Sequence, residues 1–486
     1  MNGHQLPHRR RHVLHPADVA SECSCRIATS SSRAPYDADV GDPRQGGAVQ
    51  TEGYTAYTTD LRKLGDAATR APWPSVRGDV HKALNGQAAE QLRRLVPRQV
   101  RRDKGAFFTG GEIRATLTGM LQTHEGPYWD PTCGAGDLLL AASEQLPVET
   151  SIQRTLHEWG RVLHGGDLQP AFAEATKLRL FLAAVARHRD RGDSVEVRSH
   201  EAVHAFRNIR IEDARESLQR SRKFSGTLIM NPPYGTVTAE EECPWGSGLV
   251  SQAAIMALRG MQNLAIGREF LAVLPDVLRS GSRYARWRSE VESVLKLRKV
   301  HLHGQFDPHT DIDVFLISGE RRRRVNISSR SPLWWAENNA SSTVEDSFEV
   351  SVGPVVDNRD PHEGPSFPFL IARDLKAASE MPAPERTRSF NGRTLDPPFV
   401  AIKRTSRPGL GAGGSARAAG VVITGTRQVA VDNHIIVARP RSGTEEDCRR
   451  LIDILASEET STWLDGRIRC RHLTVGVVKS IPWPVG

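Results

Sequence analysis

YWDPTCGAGDLLLAASEQL, residues 128–146, is the stretch that decides the fold. An aromatic strand end leads into an Asp-Pro pair at 130–131, then into Gly134 and Gly136, and then into an apolar helix that begins with three leucines. Glycine lets the backbone approach a ligand closely, and the N-terminus of the helix that follows is electropositive. The stretch therefore predicts a strand, a tight ligand-binding turn and a helix in succession.

A second unit of the same kind follows at residues 162–185, VLHGGDLQPAFAEATKLRLFLAAV. Its strand ends in an acidic residue, Asp167. In doubly wound α/β folds, a glycine turn after one strand and a carboxylate after the next hold a ribose-bearing ligand, because the carboxylate accepts hydrogen bonds from the sugar hydroxyls. Two successive units with both features predict an α/β fold that binds such a ligand.

The third stretch, LIMNPPYG at 228–235, ends an apolar strand in a rigid segment that we call the NPPY corner, residues 231–234. Its two prolines fix φ at about −65° and offer no N–H. A main-chain carbonyl and the Asn231 side-chain oxygen can both face outward as acceptors beside the ring of Tyr234, an arrangement that suits a planar amine. Taken singly, each residue also has an ordinary explanation as a strand cap, a strand stop or a core aromatic.

The composition indicates a globular chain of two or three domains, with 486 residues, 38% of them hydrophobic and 25% charged. No apolar run is long enough to span a bilayer, and the basic N-terminus lacks the apolar core of a secretory signal. Six cysteines, widely spaced in so long a chain, form no disulfide framework. These features predict a cytoplasmic protein with reduced thiols and no membrane partner.

The charge pattern indicates a polyanionic partner. The formal net charge is +8, and arginines are clustered at 9–11, 98–104 and 321–324. Arginine is favoured at phosphate-binding surfaces because its planar fork of donors matches phosphate oxygens. Basic runs are also common on solvated surfaces, so the charge by itself leaves nucleic acid and bulk solvent as alternatives.

The N-terminal segment, residues 1–70, is rich in Ser, Gly, Pro, Asp and Arg and shows no sustained periodicity, so we predict that it is disordered. Cys23 and Cys25 lie near four histidines in this segment, but their spacing fits no zinc module. No metal site is therefore predicted. The four histidines are His4, His8, His12 and His15.

Four motifs in order, GAFFTGGE (105–112), DPTCGAGDLL (130–139), GGDLQP (165–170) and LIMNPPYG, resemble the amino-methyltransferases that act on adenine N6 in DNA. The resemblance is to the type I and type II gamma-like group, in which the cofactor motifs precede NPPY and a target-recognition domain follows. It covers residues 80–320. It implies a seven-stranded, Rossmann-like methyltransferase sheet, mainly parallel with one reversed strand, that binds S-adenosylmethionine.

The resemblance also implies cofactor-binding residues. Gly134 and Gly136 would pass under the methionine part of S-adenosylmethionine, and Asp167 would bind the ribose hydroxyls. Asp130 and Pro131 would form the edge of this glycine turn. Phe108 and Thr109 lie in the motif that closes over the methionine moiety; many similar enzymes have Thr-Pro there, where this chain has Thr109-Gly110. A strand expected to end near Glu201 would bring that carboxylate near the adenine of the cofactor.

The chemistry of the reaction explains the NPPY corner. Adenine N6 is a poor nucleophile because its lone pair is delocalised into the ring. Hydrogen bonds from N6 to the Asn231 side-chain oxygen and the Pro232 carbonyl would localise that pair, and Pro233 keeps the corner rigid. A base flipped out of the duplex would stack on Tyr234. Phe306, from HGQFDPHTDIDVFLISG (303–319), is either a second stacking aromatic or a core residue.

Methylation at cytosine C5 is a poor alternative. That reaction needs an activated cysteine thiolate, typically in the order Pro-Cys. The nearest feature, Cys243-Pro244, has the reverse order and lies in the segment after the corner.

Beyond the arginines at 321–324 the sequence changes character. We predict a methyltransferase domain at 71–324, a linker or irregular segment at 325–365 and a smaller α+β target-recognition domain at 366–486. The last of these resembles the C-terminal end of recognition domains in type I specificity subunits and fused type II methyltransferases. Its candidate DNA-binding residues are Lys403, Arg404, Arg407 and Arg427, which could equally be solvated surface.

The leading functional hypothesis is a double-stranded DNA adenine-N6 methyltransferase of a bacterial restriction-modification or defence system. An RNA or protein-glutamine methyltransferase is an alternative, since those substrates also present a planar amine to an NPPY corner. A non-catalytic DNA-binding subunit of a larger complex is another. No nuclease motif accompanies the methyltransferase motifs, so cleavage would need a separate restriction subunit, and a specificity subunit is a further candidate partner.

Overall fold

A computed structural model describes residues 53–97, 101, 108–122, 126–220, 223–239, 243, 245–307, 310–327, 331–335, 341–375, 379–405, 417–468 and 473–484. Their main feature is a seven-stranded sheet in the first two thirds of the chain. Its strands are β1 (Tyr128–Asp130), β2 (Leu163–Asp167), β3 (Ile209–Ile211), β4 (Thr227–Met230), β7 (Glu269–Pro275), β8 (Leu295–Asp307) and β9 (Thr310–Arg321); β5 (Thr236–Thr238) and β6 (Leu249–Ser251) form a separate antiparallel ribbon.

The strand order is β3-β2-β1-β4-β7-β9-β8. The first five strands pair in parallel, and β9 runs antiparallel to both β7 and β8. The sheet is therefore mainly parallel with one reversed strand, as the resemblance implied, and this prediction is confirmed. The chain reverses direction across the sheet beside β1, so the glycine turn lies where neighbouring connections leave the sheet on opposite sides, which is where α/β folds bind ligands.

Helices cover both faces of this sheet because its central strands are apolar on both sides. Ile229 of β4 packs into one core cluster, whereas Leu228 and Met230 pack into another. The helices are α1 (Tyr54–Arg70), α2 (Trp73–Leu84), α3 (Gln87–Leu95), α4 (Gly111–Thr118), α5 (Asp137–Glu144), α6 (Ile152–Val162), α7 (Pro170–Asp190), α8 (Ser199–Ala205), α9 (Ala214–Ser217), α10 (Gln252–Asn263), α11 (Val277–Ser280) and α12 (Ala285–Val294), with a 3₁₀ turn at Ser282–Tyr284.

The prediction that residues 1–70 are disordered is wrong for α1. This helix packs against α7 and α2, and its buried residues Tyr54, Tyr57, Leu61 and Ala68 recur at helical spacing. Most of the polar residues between them face solvent, so the segment's average composition concealed an amphipathic helix. Residues 1–52, with Cys23, Cys25 and the four histidines, lie outside the described residues.

The C-terminal part contains two further sheets, a five-stranded sheet in the order β10-β17-β14-β15-β12 and a three-stranded sheet in the order β13-β11-β16. Helices pack on the five-stranded sheet. The elements are a 3₁₀ turn (Pro332–Trp334), α13 (Val344–Ser347), β10 (Phe348–Val352), β11 (Ser366–Leu370), β12 (Glu380–Pro382), β13 (Thr387–Ser389), β14 (Phe399–Lys403), β15 (Gly420–Thr424), β16 (Ala430–Val431), β17 (Ile435–Pro440), α14 (Glu445–Ala456), α15 (Glu458–Arg467) and α16 (Val475–Lys479).

The prediction of a linker at 325–365 is wrong at two places. Trp334 is fully buried against Trp287 and Phe315 in the core of the seven-stranded sheet, so the segment is anchored to that sheet. Strand β10 pairs with β17 and forms one edge of the five-stranded sheet, with Phe348 and Val350 buried on one face. Among the described residues, no helix has the length and apolar character needed to cross a membrane.

Candidate active site

The turn between β1 and α5 is built on two glycines with positive φ. Gly134 has φ of 53° and Gly136 has φ of 87°. A Cβ on Gly134 would lie 2.8 Å from the ring of Phe108, and one on Gly136 would lie 2.8 Å from Thr176 Cγ2. Neither position tolerates a side chain, because both the backbone conformation and the space exclude it. The turn is thus a close-approach surface bordered by Phe108.

Asp167 meets this turn from the end of β2. The Gly134 N–H donates to its Oδ2 over 3.1 Å, and the Gln169 N–H donates to its Oδ1 over 2.8 Å. Burial raises the pKa of this carboxyl to about 6, although the two backbone donors act in the opposite direction. Each carboxylate oxygen can accept a second hydrogen bond, so Asp167 can also receive ligand hydroxyls.

Asp130, at the end of β1, is buried and only 1% exposed. Its Oδ1 accepts from the Thr132 N–H over 3.0 Å and from the Thr132 hydroxyl over 3.3 Å. Its pKa is raised to about 8, chiefly by burial and in smaller part by the charges of Asp167 and Asp137, although the hydrogen bonds from Thr132 act in the opposite direction. The adjoining Pro131 is also buried. A cationic group bound at this edge would favour the ionised carboxylate.

The NPPY corner follows β4 directly and is tied to the segment that carries Thr109. Asn231 Nδ2 donates to Thr109 Oγ1 over 3.1 Å, and the Tyr234 hydroxyl donates to Asn231 Oδ1 over 2.7 Å. Burial raises the pKa of Tyr234 well above its ordinary value, so the phenol keeps its proton. The first of these bonds connects Thr109, which we expect to border the cofactor, with Asn231, which we expect to accept a hydrogen bond from the target amine. In chemical terms, the two bonds fix the carboxamide with its oxygen toward Tyr234.

Pro232 is buried, whereas Asn231, Pro233 and Tyr234 are half-buried. The Phe306 ring packs edge-on against the Tyr234 ring, with centroids 5.9 Å apart and planes at 87°. Phe306 is 3% exposed and belongs to the core cluster on one face of the sheet. The structure thus brings the two aromatics together, and the burial of Phe306 favours its interpretation as a core residue that supports Tyr234.

The prediction that a strand ends near Glu201 is wrong. Glu201 lies exposed in the first turn of α8, where its carboxylate accepts from the Arg198 N–H over 3.4 Å. The corresponding strand is β3, and the acidic residues after it are Glu212 and Asp213. The Glu212 N–H donates to the Asp167 main-chain carbonyl over 3.1 Å. This bond extends the pairing of β2 with β3, and the Glu212 carboxylate accepts from Arg220. The apolar residues at 209 and 211 before two carboxylates were an available sequence signal for this strand end.

Arg179 was also missed. This fully buried guanidinium on α7 donates to the carbonyls of Ala83 and Ala135 and, over 2.8 Å, to Asp137 Oδ1. It therefore joins the N-terminal helices to the glycine turn. An arginine between the apolar residues Leu178 and Leu180 is the sequence signal that could have revealed it.

The predicted basic residues of the C-terminal part do not form one group. Lys403 and Arg404 adjoin each other at the end of β14, where Arg404 Nη1 donates to the Asn433 carbonyl over 3.3 Å. Arg427 is exposed in the turn after β15, and the antiparallel register of β14 and β15 places it at the opposite end of these strands. Arg407 lies outside the described residues. Within the part of the chain that the structure describes, no cluster of His, Cys, Asp and Glu could hold a metal ion.

Residues 81–247 match the family described as N-6 DNA Methylase. The match includes both strand-turn-helix units and the NPPY corner, so the predicted resemblance to DNA adenine-N6 methyltransferases is confirmed. No curated protein matches the chain.

Several solved structures are similar to the chain. One is a modification subunit assigned to a type I restriction enzyme of Vibrio vulnificus YJ016, with 18% identity, 48% of each chain covered and a TM-score of 0.33. The chain thus spans about half the length of that protein. Others are the type IIG restriction endonuclease BpuSI, with 13% identity, 85% of this chain and 62% of that chain covered and a TM-score of 0.41, and the type IIL restriction-modification enzyme MmeI in complex with DNA, with 10% identity, 81% and 70% covered and a TM-score of 0.47.

Proposed function

We propose that this chain is a site-specific DNA methyltransferase that transfers a methyl group from S-adenosylmethionine to N6 of an adenine flipped out of double-stranded DNA, in a restriction-modification system. One observation carries the proposal, the hydrogen bond between Thr109 Oγ1 and Asn231 Nδ2. It joins the segment beside the glycine turn to the amine-binding corner, so a methyl donor and a planar amine would lie next to each other.

The glycine turn supports the choice of cofactor. Gly134 and Gly136 adopt positive φ and leave no room for a Cβ beside Phe108 and Thr176, so only glycine allows this tight turn, past which a ligand would lie close to the backbone. Asp167 would accept from the ribose hydroxyls, and Asp130, Pro131 and Phe108 would border the methionine part. S-adenosylmethionine, when bound, supplies an electrophilic methyl group on a sulfonium. Asp130 and Asp167 fit a ligand that carries positive charge.

The NPPY corner supports the choice of target. Asn231 Oδ1 and the Pro232 carbonyl would accept hydrogen bonds from the two N–H groups of N6. The Tyr234 hydroxyl would then either release Asn231 Oδ1 or share it with N6. Such bonds become stronger as the amine gains positive charge during transfer, which is why they would accelerate the reaction. Tyr234 would stack on the base, and Phe306 would hold the Tyr234 ring in place from its edge.

We also propose that residues 366–486, together with β10, form the target-recognition domain. One apolar cluster joins the two C-terminal sheets, and a second joins the five-stranded sheet to the C-terminal helices. RNA or glutamine methyltransferases with NPPY corners usually lack such a C-terminal part. Lys403, Arg404, Arg407 and Arg427 would contact phosphates. A restriction or specificity subunit would be a separate partner.

The test is expression of the full chain in cells that lack adenine methylation, followed by long-read sequencing of plasmid DNA for N6-methyladenine. We expect one sequence motif to be methylated by wild type and none by Asn231→Ala, because loss of a transition-state hydrogen bond costs on the order of 10²–10³ in rate. Calorimetry should show unchanged S-adenosylmethionine affinity for this variant. Asn85→Ala, the same change at an exposed residue, serves as the control. Labelled methyl groups found in RNA or protein instead of DNA would support the alternative substrates, and an Asn231→Ala variant as active as wild type would refute the site.

A further inference from the structure

The junction between the seven-stranded sheet and the C-terminal sheets contains an unusual group of arginine and tryptophan side chains. The guanidinium carbons of Arg279, Arg288 and Arg467 lie 5.8, 5.1 and 5.2 Å from the centroid of the Trp335 ring. Arg279 and Arg288 belong to the catalytic part and Arg467 belongs to α15 in the C-terminal part. Trp335, which follows the anchored Trp334, is therefore shared by both parts. We call this group the junction cluster.

Arg279 is the residue of this cluster that binds both parts through hydrogen bonds. It is fully buried, and its Nε donates to Asp276 Oδ1 over 2.7 Å. Its Nη1 donates to the Trp334 carbonyl over 3.0 Å and to the Gly466 carbonyl in α15 over 3.1 Å. One side chain thus links the end of β7, the anchored tryptophan segment and the last turn of a C-terminal helix.

The position of Arg279 relative to the proposed active site gives this link a functional meaning. Helix α11 begins just after β7, and β7 lies beside β4, the strand that Asn231 directly follows. The Tyr284 hydroxyl, in the 3₁₀ turn that follows α11, accepts from the Ser251 N–H over 3.1 Å. Ser251 pairs in turn with Thr236, two residues beyond Tyr234. A continuous series of contacts therefore runs from Gly466 to the NPPY corner.

The turn between α11 and α12 is held rigidly within this series. Arg288 Nη1 donates to the carbonyls of Leu278 and Gly281, each over 2.9 Å. Trp287 Nε1 donates to the Ala254 carbonyl in α10 over 2.9 Å. A displacement of α11 would for this reason be passed to α10 and the β5–β6 ribbon instead of being absorbed in a flexible loop.

The junction cluster brings three guanidinium groups onto one indole ring. Burial lowers the pKa of Arg467, and the charge of Arg279 lowers it further. Guanidinium groups that face one indole repel each other, whereas each of them is attracted to the ring. Among the residues that the structure describes, none is a hydrogen-bond partner of the buried Arg279 Nη2. Interfaces between parts of one chain that are not large and apolar permit relative motion, so a change in the C-terminal part can reach Arg279 through this contact.

We propose that Arg279 is a positioning residue that couples target recognition by the C-terminal domain to the geometry of the NPPY corner. Docking of α15 through Gly466 fixes α11, and α11 fixes the ribbon that continues from the corner. When the recognition domain does not hold DNA in the proper orientation, the contact between Arg279 and Gly466 would be strained and the NPPY corner would be misaligned. The inference rests on the proposed function and adds a residue that touches neither cofactor nor base.

The test uses the full chain with Arg279→Lys, which keeps the charge but has a single nitrogen and cannot take both the place of Nε beside Asp276 and the place of Nη1 between the Trp334 and Gly466 carbonyls. Arg467→Ala, at a half-buried residue, is a milder second variant on the other side of the junction, and it decides the matter where Arg279→Lys does not fold. Arg388→Lys is the control. Arg388 is likewise buried, paired with Asp357 and stacked on Phe369, with its contacts inside the C-terminal part.

For both junction variants we expect S-adenosylmethionine and DNA affinities close to wild type and single-turnover methylation slower by roughly two- to thirtyfold, the range for residues that modulate coupling between sites. A residue with a merely structural role would lower affinity and rate together. Unchanged methylation rates in both junction variants, or an equal slowing in Arg388→Lys, would overturn the inference.

Hydrogen exchange of the α15 amides, measured with and without cognate DNA, is independent of activity. We expect faster exchange in the junction variants than in wild type and Arg388→Lys. Identical exchange in all four proteins would refute docking through Arg279. If wild type methylates no DNA, the proposed function fails, and this exchange measurement still shows whether Arg279 holds the two parts together.

Discussion

The hydrogen bond between Thr109 and Asn231 predicts the effect of a single hydroxyl group on catalysis. Thr109→Val replaces the hydroxyl with a methyl group of similar size, so the buried packing around residue 109 is kept while Asn231 Nδ2 loses its acceptor. The carboxamide can then rotate and present its NH₂ to the incoming amine, which is a repulsive arrangement. Thr109→Ser is the matched control because it restores the hydroxyl.

The size of the effect follows from the worth of one such bond. A neutral hydrogen bond contributes about 0.5–1.5 kcal/mol, and a factor of ten in rate corresponds to about 1.4 kcal/mol. Thr109→Val should therefore slow methyl transfer about two- to twelvefold. This is much less than the loss expected for Asn231→Ala, because in Thr109→Val the Asn231 oxygen still faces the target amine for part of the time.

The assay is single-turnover transfer of a labelled methyl group to cognate DNA, with S-adenosylmethionine affinity measured by calorimetry. We expect Thr109→Ser to transfer at close to the wild-type rate. A Thr109→Val variant that is as fast as wild type, or a Thr109→Ser variant that is as slow as Thr109→Val, would refute the orienting role. A rate loss explained wholly by weaker S-adenosylmethionine binding would show that Thr109 contributes to cofactor binding and not to the orientation of Asn231.

Two further predictions concern stability. The pKa of Asp130 is raised from 3.8 to about 8, so the folded protein binds this proton more tightly than the unfolded chain does. The carboxyl's contribution to stability therefore falls as pH rises between these values. Asp130→Asn should gain stability relative to wild type from pH 5 to pH 8 in urea titrations, and a pH-independent difference would contradict this. A fragment that ends at residue 341 should fold and bind S-adenosylmethionine. A fragment that ends at residue 330 should be less stable than the longer one by roughly 3–5 kcal/mol, because it lacks the buried Trp334. Equal melting temperatures of the two fragments would show that Trp334 is not an anchor.

The sequence by itself determined the parts of the site that depend on local backbone chemistry. Gly134, Gly136, Asp167 and the NPPY corner were each identified within one strand and turn, because positive φ, a strand-end carboxylate and consecutive prolines leave marks in a few adjacent residues. The order of these units also determined the central sheet, since successive strand-turn-helix units in doubly wound folds have few arrangements open to them.

Tertiary structure alone decided which distant residues meet. Thr109 and Asn231 are 122 positions apart, and Arg279 and Gly466 are 187 apart, so no local pattern records either contact. The same reason explains the errors. Helix α1 is stabilised by packing against α7, the three-residue strand β3 by its pairing with β2, and Trp334 by a core formed by other segments. The free energy that orders these elements comes from contacts with other parts of the chain, and their own sequences carry only a weak record of it.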